Sequence, residues 1–183
     1  MKTLIIFLIE ILLLYAQPVF SDDSEQLEMA LRNSLKEVLN SEDKIQWNHI
    51  KIGLETREHV ESKLKMKQEI PDSLQYGMIR VDAENFILLI DETPGKTHLF
   101  TYALYLTSDL TIFDVDVLIY RELYGGEIDD KSFREQFRQV NNPGKLIFGR
   151  TVQGITGATI SSRSLTYAVR DLLLIFQTAY QSD

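Results

Sequence analysis

Three apolar runs separated by short polar breaks constrain the fold of this chain more than any other feature. They are rich in Phe, Ile, Leu, Val and Tyr, the residue types that favour extended strands. They span residues 85–90, 98–106 and 110–120. In the third run, alternation predicts that Phe113, Val115 and Val117 share one face of a strand. Thr107-Ser108-Asp109 is short enough to join two strands as a hairpin, so the runs predict an antiparallel sheet.

Helical periodicity flanks these runs on both sides. Apolar residues recur at helical spacing over residues 24–39, with Ser24 as a candidate cap, and over 55–66, with Val60 and Leu64 facing inward. Residues 131–139 predict a short helix that buries Phe133 and Phe137, and residues 162–178 predict the longest helix. The chain has no internal repeat and no long linker. We therefore expect a single α+β domain, in which N-terminal helices pack beside the sheet and a C-terminal helix follows a hydroxyl-rich turn.

The first residues have the pattern of an export signal. Lys2 is followed by an apolar stretch over residues 4–15, interrupted only by Glu10, and Val19-Phe20-Ser21 is compatible with cleavage. The stretch is short for a bilayer-spanning helix, although an uncleaved anchor is the alternative. We expect a signal peptide at residues 1–21, a region of helices and strands at 22–97, and a ligand-binding core at 98–183.

Composition excludes several classes of function. The formal net charge of −8 disfavours nucleic acid as a partner. The chain has no cysteine, which excludes disulfides, thiol nucleophiles and cysteine-ligated clusters. His49, His59 and His98 are the only histidines and lack metal-ligand spacing, so we predict no metal site. No nucleophile–base pair or paired carboxylates indicate a catalytic centre of the chain's own.

A hydroxyl-bearing turn precedes the C-terminal helix. It reads Thr156-Gly157-Ala158-Thr159. A helix N-terminus presents unpaired backbone N–H groups to an anion such as phosphate, and glycine lets the backbone approach a ligand closely. Ser161 and Ser162 are candidate caps, and Arg163 offers a further positive charge. From the residues alone, the turn is either a phosphate site or simply a capped helix start.

This segment resembles the FMN-binding domain family, which carries an Asp-x-x-Ser/Thr-Gly-Ala-Thr/Ser motif just before a C-terminal helix. Members include flavin-bearing subunits of the sodium-pumping NADH:quinone oxidoreductase. The resemblance implies an FMN joined by a phosphoester to Thr159, with Thr156, Gly157 and Ala158 completing the motif. The family's acidic residue is replaced by Gln153, which puts the efficiency of covalent attachment in doubt more than FMN binding itself.

A second stretch, YRELYGGEIDDKSFREQF, is similar to the family's ring-side turn and the helix after it. The resemblance implies that Glu122, Tyr124, Gly125 and Gly126 lie beside the isoalloxazine ring, and it covers residues 102–176. The chain also contains Glu-Thr-Pro-Gly before residue 96, a sequence found at the ring-side turn of several members. Its order relative to the strands differs here, so we interpret Pro94-Gly95 as an ordinary turn.

Together these features predict an exported, periplasmic or extracytoplasmic FMN protein that passes electrons between redox partners, some of them membrane-bound. Threonine is a poor nucleophile, so attachment requires a flavin transferase. Tyr120, Tyr124 and Phe148 are candidates to stack on the ring, and Arg121 to stabilise a reduced anion. The alternatives are the flavin subunit of an extracytoplasmic reductase, or a binding module that retains the fold without flavin.

Overall fold

The computed structural model describes residues 21–63 and 70–182. Residues 1–20 of the predicted signal peptide lie outside the described residues. So does Leu64, which is predicted to face inward. The described residues form four α-helices and five strands, together with short 3₁₀ turns. In chain order these are α1 Ser21–Leu39, β1 Gln46–Lys51, α2 Leu54–Lys63, β2 Ser73–Val81, β3 Glu84–Pro94, β4 Leu99–Thr107, β5 Ile112–Ile119, α3 Lys131–Arg134 and α4 Thr159–Tyr180.

The five strands form one antiparallel sheet in the order β1-β2-β3-β4-β5. Helix α1 covers one face through a cluster that includes Leu35, Leu88 and Tyr105. Helices α2 and α4 cover the other face, where the larger cluster includes Val60 and Phe176. The single α+β domain with an antiparallel sheet is confirmed.

Strands β1 and β2 have no counterpart among the three apolar runs. Strand β1 is Gln-Trp-Asn-His-Ile-Lys, and Ile50 is its only buried residue. It is an edge strand, and edge strands are commonly polar because one side of their backbone faces solvent. Composition alone could not reveal it. At the N-terminus, Ser24 lies inside α1, which begins at Ser21, so the expected cap at Ser24 is wrong.

A bulge in β5 corrects the predicted face of that strand. Leu106 pairs with Ile112 and Tyr105 pairs with Asp114, which leaves Phe113 without an opposite residue on β4. The extra residue switches the alternation. Val115 therefore packs in the cluster on the α4 face, whereas the ring of Phe113 meets Phe86 on the α1 face, with centroids 4.9 Å apart.

The short helix after β5 is a single α-helical turn continued by a 3₁₀ turn. Helix α3 ends at Arg134 and the 3₁₀ turn spans Glu135–Phe137. Phe133 and Phe137 are buried as predicted, and their rings pack edge to face with centroids 5.4 Å apart. Among the described residues, no helix combines the length and apolar character needed to span a bilayer.

Candidate functional site

The two predicted parts of the site lie together at one end of the sheet. A groove of about 470 Å³ is lined by residues 96–98, by Tyr120 and residues 122–124 after β5, and by residues 157–161 at the start of α4. A second groove, of about 500 Å³, adjoins it and shares Leu123, Tyr124 and Gly157. Both volumes are in the range of small-molecule sites. A larger cavity of about 700 Å³ between α1, β3 and α4 contains none of the predicted site residues.

The predicted attachment residue begins a helix. Thr159 is the first residue of α4, and its side chain is exposed. Ala158 precedes it without a capping side-chain hydrogen bond. Gly157 has φ of 92°, with open space where a Cβ would stand. An exposed hydroxyl at a helix N-terminus, beside a glycine that leaves room for a ligand, fits a phosphoryl group.

Neither predicted serine cap lies before the helix, because α4 begins three residues earlier than expected. Ser162 is fully buried in its first turn. The Ser162 hydroxyl donates to the Ala158 carbonyl at 2.8 Å and accepts from the Ile155 N–H at 3.3 Å. The Ser161 hydroxyl pairs with the Tyr120 hydroxyl at 3.0 Å. Both serines therefore shape the turn and its floor instead of capping the helix.

The two glycine-containing turns touch each other. Gly125 has φ of 89°, and a Cβ built on it would lie 2.9 Å from the Tyr120 hydroxyl and 3.0 Å from the Ala158 Cβ. Gly126 faces open space and lines the second groove with Tyr124. The small residues that the family resemblance singled out thus allow the β5 loop to lie directly against the start of α4.

Sequence reasoning misses the third wall of the groove. Lys96, Thr97 and His98 follow the Pro94-Gly95 turn, and all three line the groove. From the sequence, His98 is a candidate only as a metal ligand, and neither other histidine stands at metal-ligand spacing from it. The Glu-Thr-Pro-Gly sequence is the feature that could have indicated this wall. Because it precedes β4 in the chain, its position does not reveal that this turn and the end of β5 meet at the same edge of the sheet.

Glu122 joins this wall to the β5 loop. Its Oε1 accepts from the backbone N–H groups of Thr97 at 2.6 Å and His98 at 3.0 Å, and its Oε2 accepts from the Thr97 hydroxyl at 2.6 Å. Hydrogen bonds from the side chain and backbone of Thr97 and the backbone of His98 lower the pKa of Glu122 to about 2. The carboxylate is therefore ionised at physiological pH.

Several other predicted residues lie away from the groove. The backbone of Gln153 is paired with the Gln136 side chain, and its amide donates to the Arg150 carbonyl at 3.1 Å. Phe148 packs against Gly154 and under the Arg163 guanidinium, 5.2 Å from the ring centroid. Arg121 and Thr156 are exposed and do not line the groove. Of the three aromatic candidates, Tyr120 and Tyr124 line it.

Comparison with known proteins bears on this geometry. Residues 91–174 match the family model described as "FMN-binding domain", a segment that contains the whole first groove. The match begins earlier than the predicted resemblance and includes the Pro94-Gly95 turn. No curated protein sequence matches the chain.

A solved structure supports the fold. The chain is similar to the crystal structure of one of the subunits of the Na⁺-translocating NADH-quinone reductase from Parabacteroides distasonis, with a TM-score of 0.57 and 13% identity. The alignment covers 92% of this chain and 100% of that chain.

Proposed function

We propose that this protein, whose residues 91–174 match the FMN-binding domain model, carries FMN on Thr159 through a phosphoester and passes electrons between redox partners. FMN is the cofactor that the domain indicates. The observation that carries the proposal is the exposed Thr159 hydroxyl, which lines the groove as the first residue of α4.

The described residues divide the binding task between phosphate and ring. The first N–H groups of α4 and the open space at Gly157 would hold the phosphoryl group. The aromatic side chains of Tyr120 and Tyr124, with residues 96–98, form the rest of the groove that would hold the isoalloxazine. When bound, the flavin supplies the one- and two-electron chemistry that the protein side chains lack.

Carrying electrons between proteins is the role that fits this groove. Leu123 is 92% exposed and Tyr124 is 85% exposed, and both line the groove, so a flavin held there would be accessible to a partner protein. The sequence contains no nicotinamide-binding glycine motif. Leu123 and Tyr124 therefore form a contact surface for a redox partner, membrane-bound or within a reductase complex.

We also propose that the protein acts outside the cytoplasm. The support is the apolar stretch at residues 4–15, with a compatible cleavage site at Ser21. Full-length chain expressed in a bacterium would appear in the periplasmic or membrane fraction, with a new N-terminus after residue 21 if cleaved. A variant that lacks residues 2–21 would remain in the cytoplasm. Equal distribution of the two forms would contradict export.

The test of covalent attachment uses two threonines of α4. The full-length chain is expressed with a flavin transferase, denatured, and examined on a gel under ultraviolet light. We expect a fluorescent band for the wild type and for Thr178→Val, and its loss in Thr159→Val, because Thr178 lies near the other end of α4, outside both the motif and the groove.

Fluorescence that persists in Thr159→Val would assign the attachment elsewhere. A colourless native wild type, folded and exported, would instead favour the flavin-free binding module.

A further inference from the structure

The carboxylate of Glu122, which lines the groove, is engaged by the turn between β3 and β4. Its carboxylate accepts hydrogen bonds from Thr97 and His98, 25 and 24 residues earlier in the chain. Its side chain is only 8% exposed although it lies on a loop. A carboxylate that accepts three hydrogen bonds from one turn has little capacity left for a ligand. Glu122 therefore acts on the turn instead of contacting a cofactor.

The β3–β4 turn is shaped to receive this carboxylate. Gly95 donates its N–H to the His98 carbonyl at 2.7 Å and closes the turn. A Cβ on Gly95 would lie 2.5 Å from the Glu122 Oε1 and 3.0 Å from the His98 carbonyl oxygen. Only glycine leaves room for the carboxylate at this distance. We call the hydrogen-bonded Glu122–Thr97 pair, together with Gly95, the latch.

The latch sets the position of one wall of the groove. Lys96 and His98 flank Thr97 and line the groove opposite residues 157–161. The Glu122 Oε2 lies 4.0 Å from the His98 Nδ1, which also pairs with the Thr97 hydroxyl at 2.9 Å. A turn held at Thr97 thereby fixes the backbone on both sides of that residue. Without the latch, this exposed turn would depend on hydrogen bonds within itself.

We propose that Glu122 is a positioning residue, which holds the turn that carries Lys96 and His98 against the flavin groove. The proposal rests on FMN binding as described above. Lys96 brings the positive charge of this wall to the groove. A cation near a flavin favours its reduced, anionic form and so raises the reduction potential. Release of the turn is expected to weaken that effect and lower the potential.

The test compares two matched threonines. Thr97→Val removes the hydroxyl that donates to Glu122, and Glu122→Gln removes the charge. Thr101→Val is the control, because the Thr101 hydroxyl also donates to a glutamate, Glu92, at 3.0 Å, but neither residue lines the groove. Each variant is made in the full chain, with and without the flavin transferase.

The first measurement is independent of flavin. In the flavin-free chain, hydrogen exchange of the Thr97 and His98 amides is expected to be about tenfold faster in Glu122→Gln than in wild type, since each loses a charge-assisted hydrogen bond. The second measurement is the reduction potential of the loaded protein. We expect it to fall in Thr97→Val, which loosens the turn without changing the net charge, and to stay unchanged in Thr101→Val. Glu122→Gln is kept for the exchange measurement, because loss of a carboxylate that lines the groove would itself raise the potential.

Each outcome decides the proposal. Faster amide exchange with a lowered potential supports it. Faster exchange with an unchanged potential would show that the latch is only structural, and unchanged exchange would show that there is no latch; either overturns the positioning role. A wild type that binds no FMN at all would refute the proposed function, and the positioning role with it, while the amide measurement would still establish whether the latch exists.

Discussion

Two glycines with similar backbone angles perform different tasks in the candidate site. Gly125 and Gly157 have φ of 89° and 92°, a region that L-residues with a Cβ rarely adopt. The Cβ position of Gly125 is filled by the Tyr120 hydroxyl and Ala158, whereas that of Gly157 is open. The first glycine is required for packing between two loops, and the second for backbone conformation beside open space.

Alanine at each position separates these effects. Gly157→Ala is expected to lower the free energy of unfolding by about 1 kcal/mol, from backbone strain alone. Gly125→Ala adds an overpacking penalty and is expected to lower it by about 2–4 kcal/mol. Urea denaturation of the flavin-free chains measures both. Equal losses would contradict the contact between the β5 loop and the start of α4.

A buried ion-pair cluster joins α1, β5 and α3 on the opposite face of the sheet. The Arg134 side chain, 6% exposed, reaches Glu37 of α1 at 3.0 Å, Asp116 at 2.7 Å and Asp114 at 3.3 Å. Its Nε has no hydrogen-bond partner in the described part of the chain. Asp114 and Asp116 are almost fully buried, so they depend on this arginine for compensation of their charge.

Removal of this arginine is expected to be costly at the level of the element. Arg134→Met leaves buried carboxylates without their main cation and should lower the free energy of unfolding by about 3–5 kcal/mol. Arg138→Met is the control, because Arg138 also pairs with Asp114, at 2.5 Å, but is 39% exposed. This variant should lower the free energy of unfolding by about 1 kcal/mol or less. Thermal unfolding followed by circular dichroism distinguishes them. Similar losses would show that burial does not decide the difference.

The stability of the whole molecule depends on pH through groups whose pKa values move in opposite directions. Burial, followed by the neighbouring Asp116 carboxylate, raises the pKa of Asp129 to about 6 from its usual 3.8. The folded state therefore binds this proton more tightly, and stability falls as pH rises from about 4 to 6. Glu122, with its lowered pKa, contributes stability that is lost as pH falls below about 4.5 towards 2.

Substitution of Asp129 should remove the first of these effects. Asp129→Asn is expected to raise the melting temperature slightly at pH 7.5, where the wild-type carboxylate is charged in the folded state, and to leave it nearly unchanged at pH 4. The effect is small because the Asp129 side chain is 48% exposed and solvent screens its charge. Scanning calorimetry at the two pH values measures the difference. A melting temperature that falls at pH 7.5 would mean that attraction to Arg134, 3.5 Å away, outweighs the cost of burial.

Much of the architecture could be predicted because its signals are local. Strands β4 and β5 bury most of their residues, and β3 buries four consecutive ones, so all three contain apolar runs. Helices α1 and α4 carry stripes at helical spacing, and the turn before α4 carries its own motif. Sequence periodicity places the start of α4 three residues late, since Ser161 and Ser162 resemble capping residues and only the path of the backbone shows that both lie inside the helix.

By itself, the sequence determined the main helices and the apolar strands β3, β4 and β5, and that a hydroxyl-bearing turn opens the last helix, because side-chain periodicity and turn chemistry act over a few residues. Only the tertiary structure decided that Glu122 meets Thr97, that Gly125 meets Ala158, and that a bulge turns Phe113 to the α1 face. These contacts depend on strand order and register, which bring distant residues to the same edge of the sheet and which no local pattern encodes.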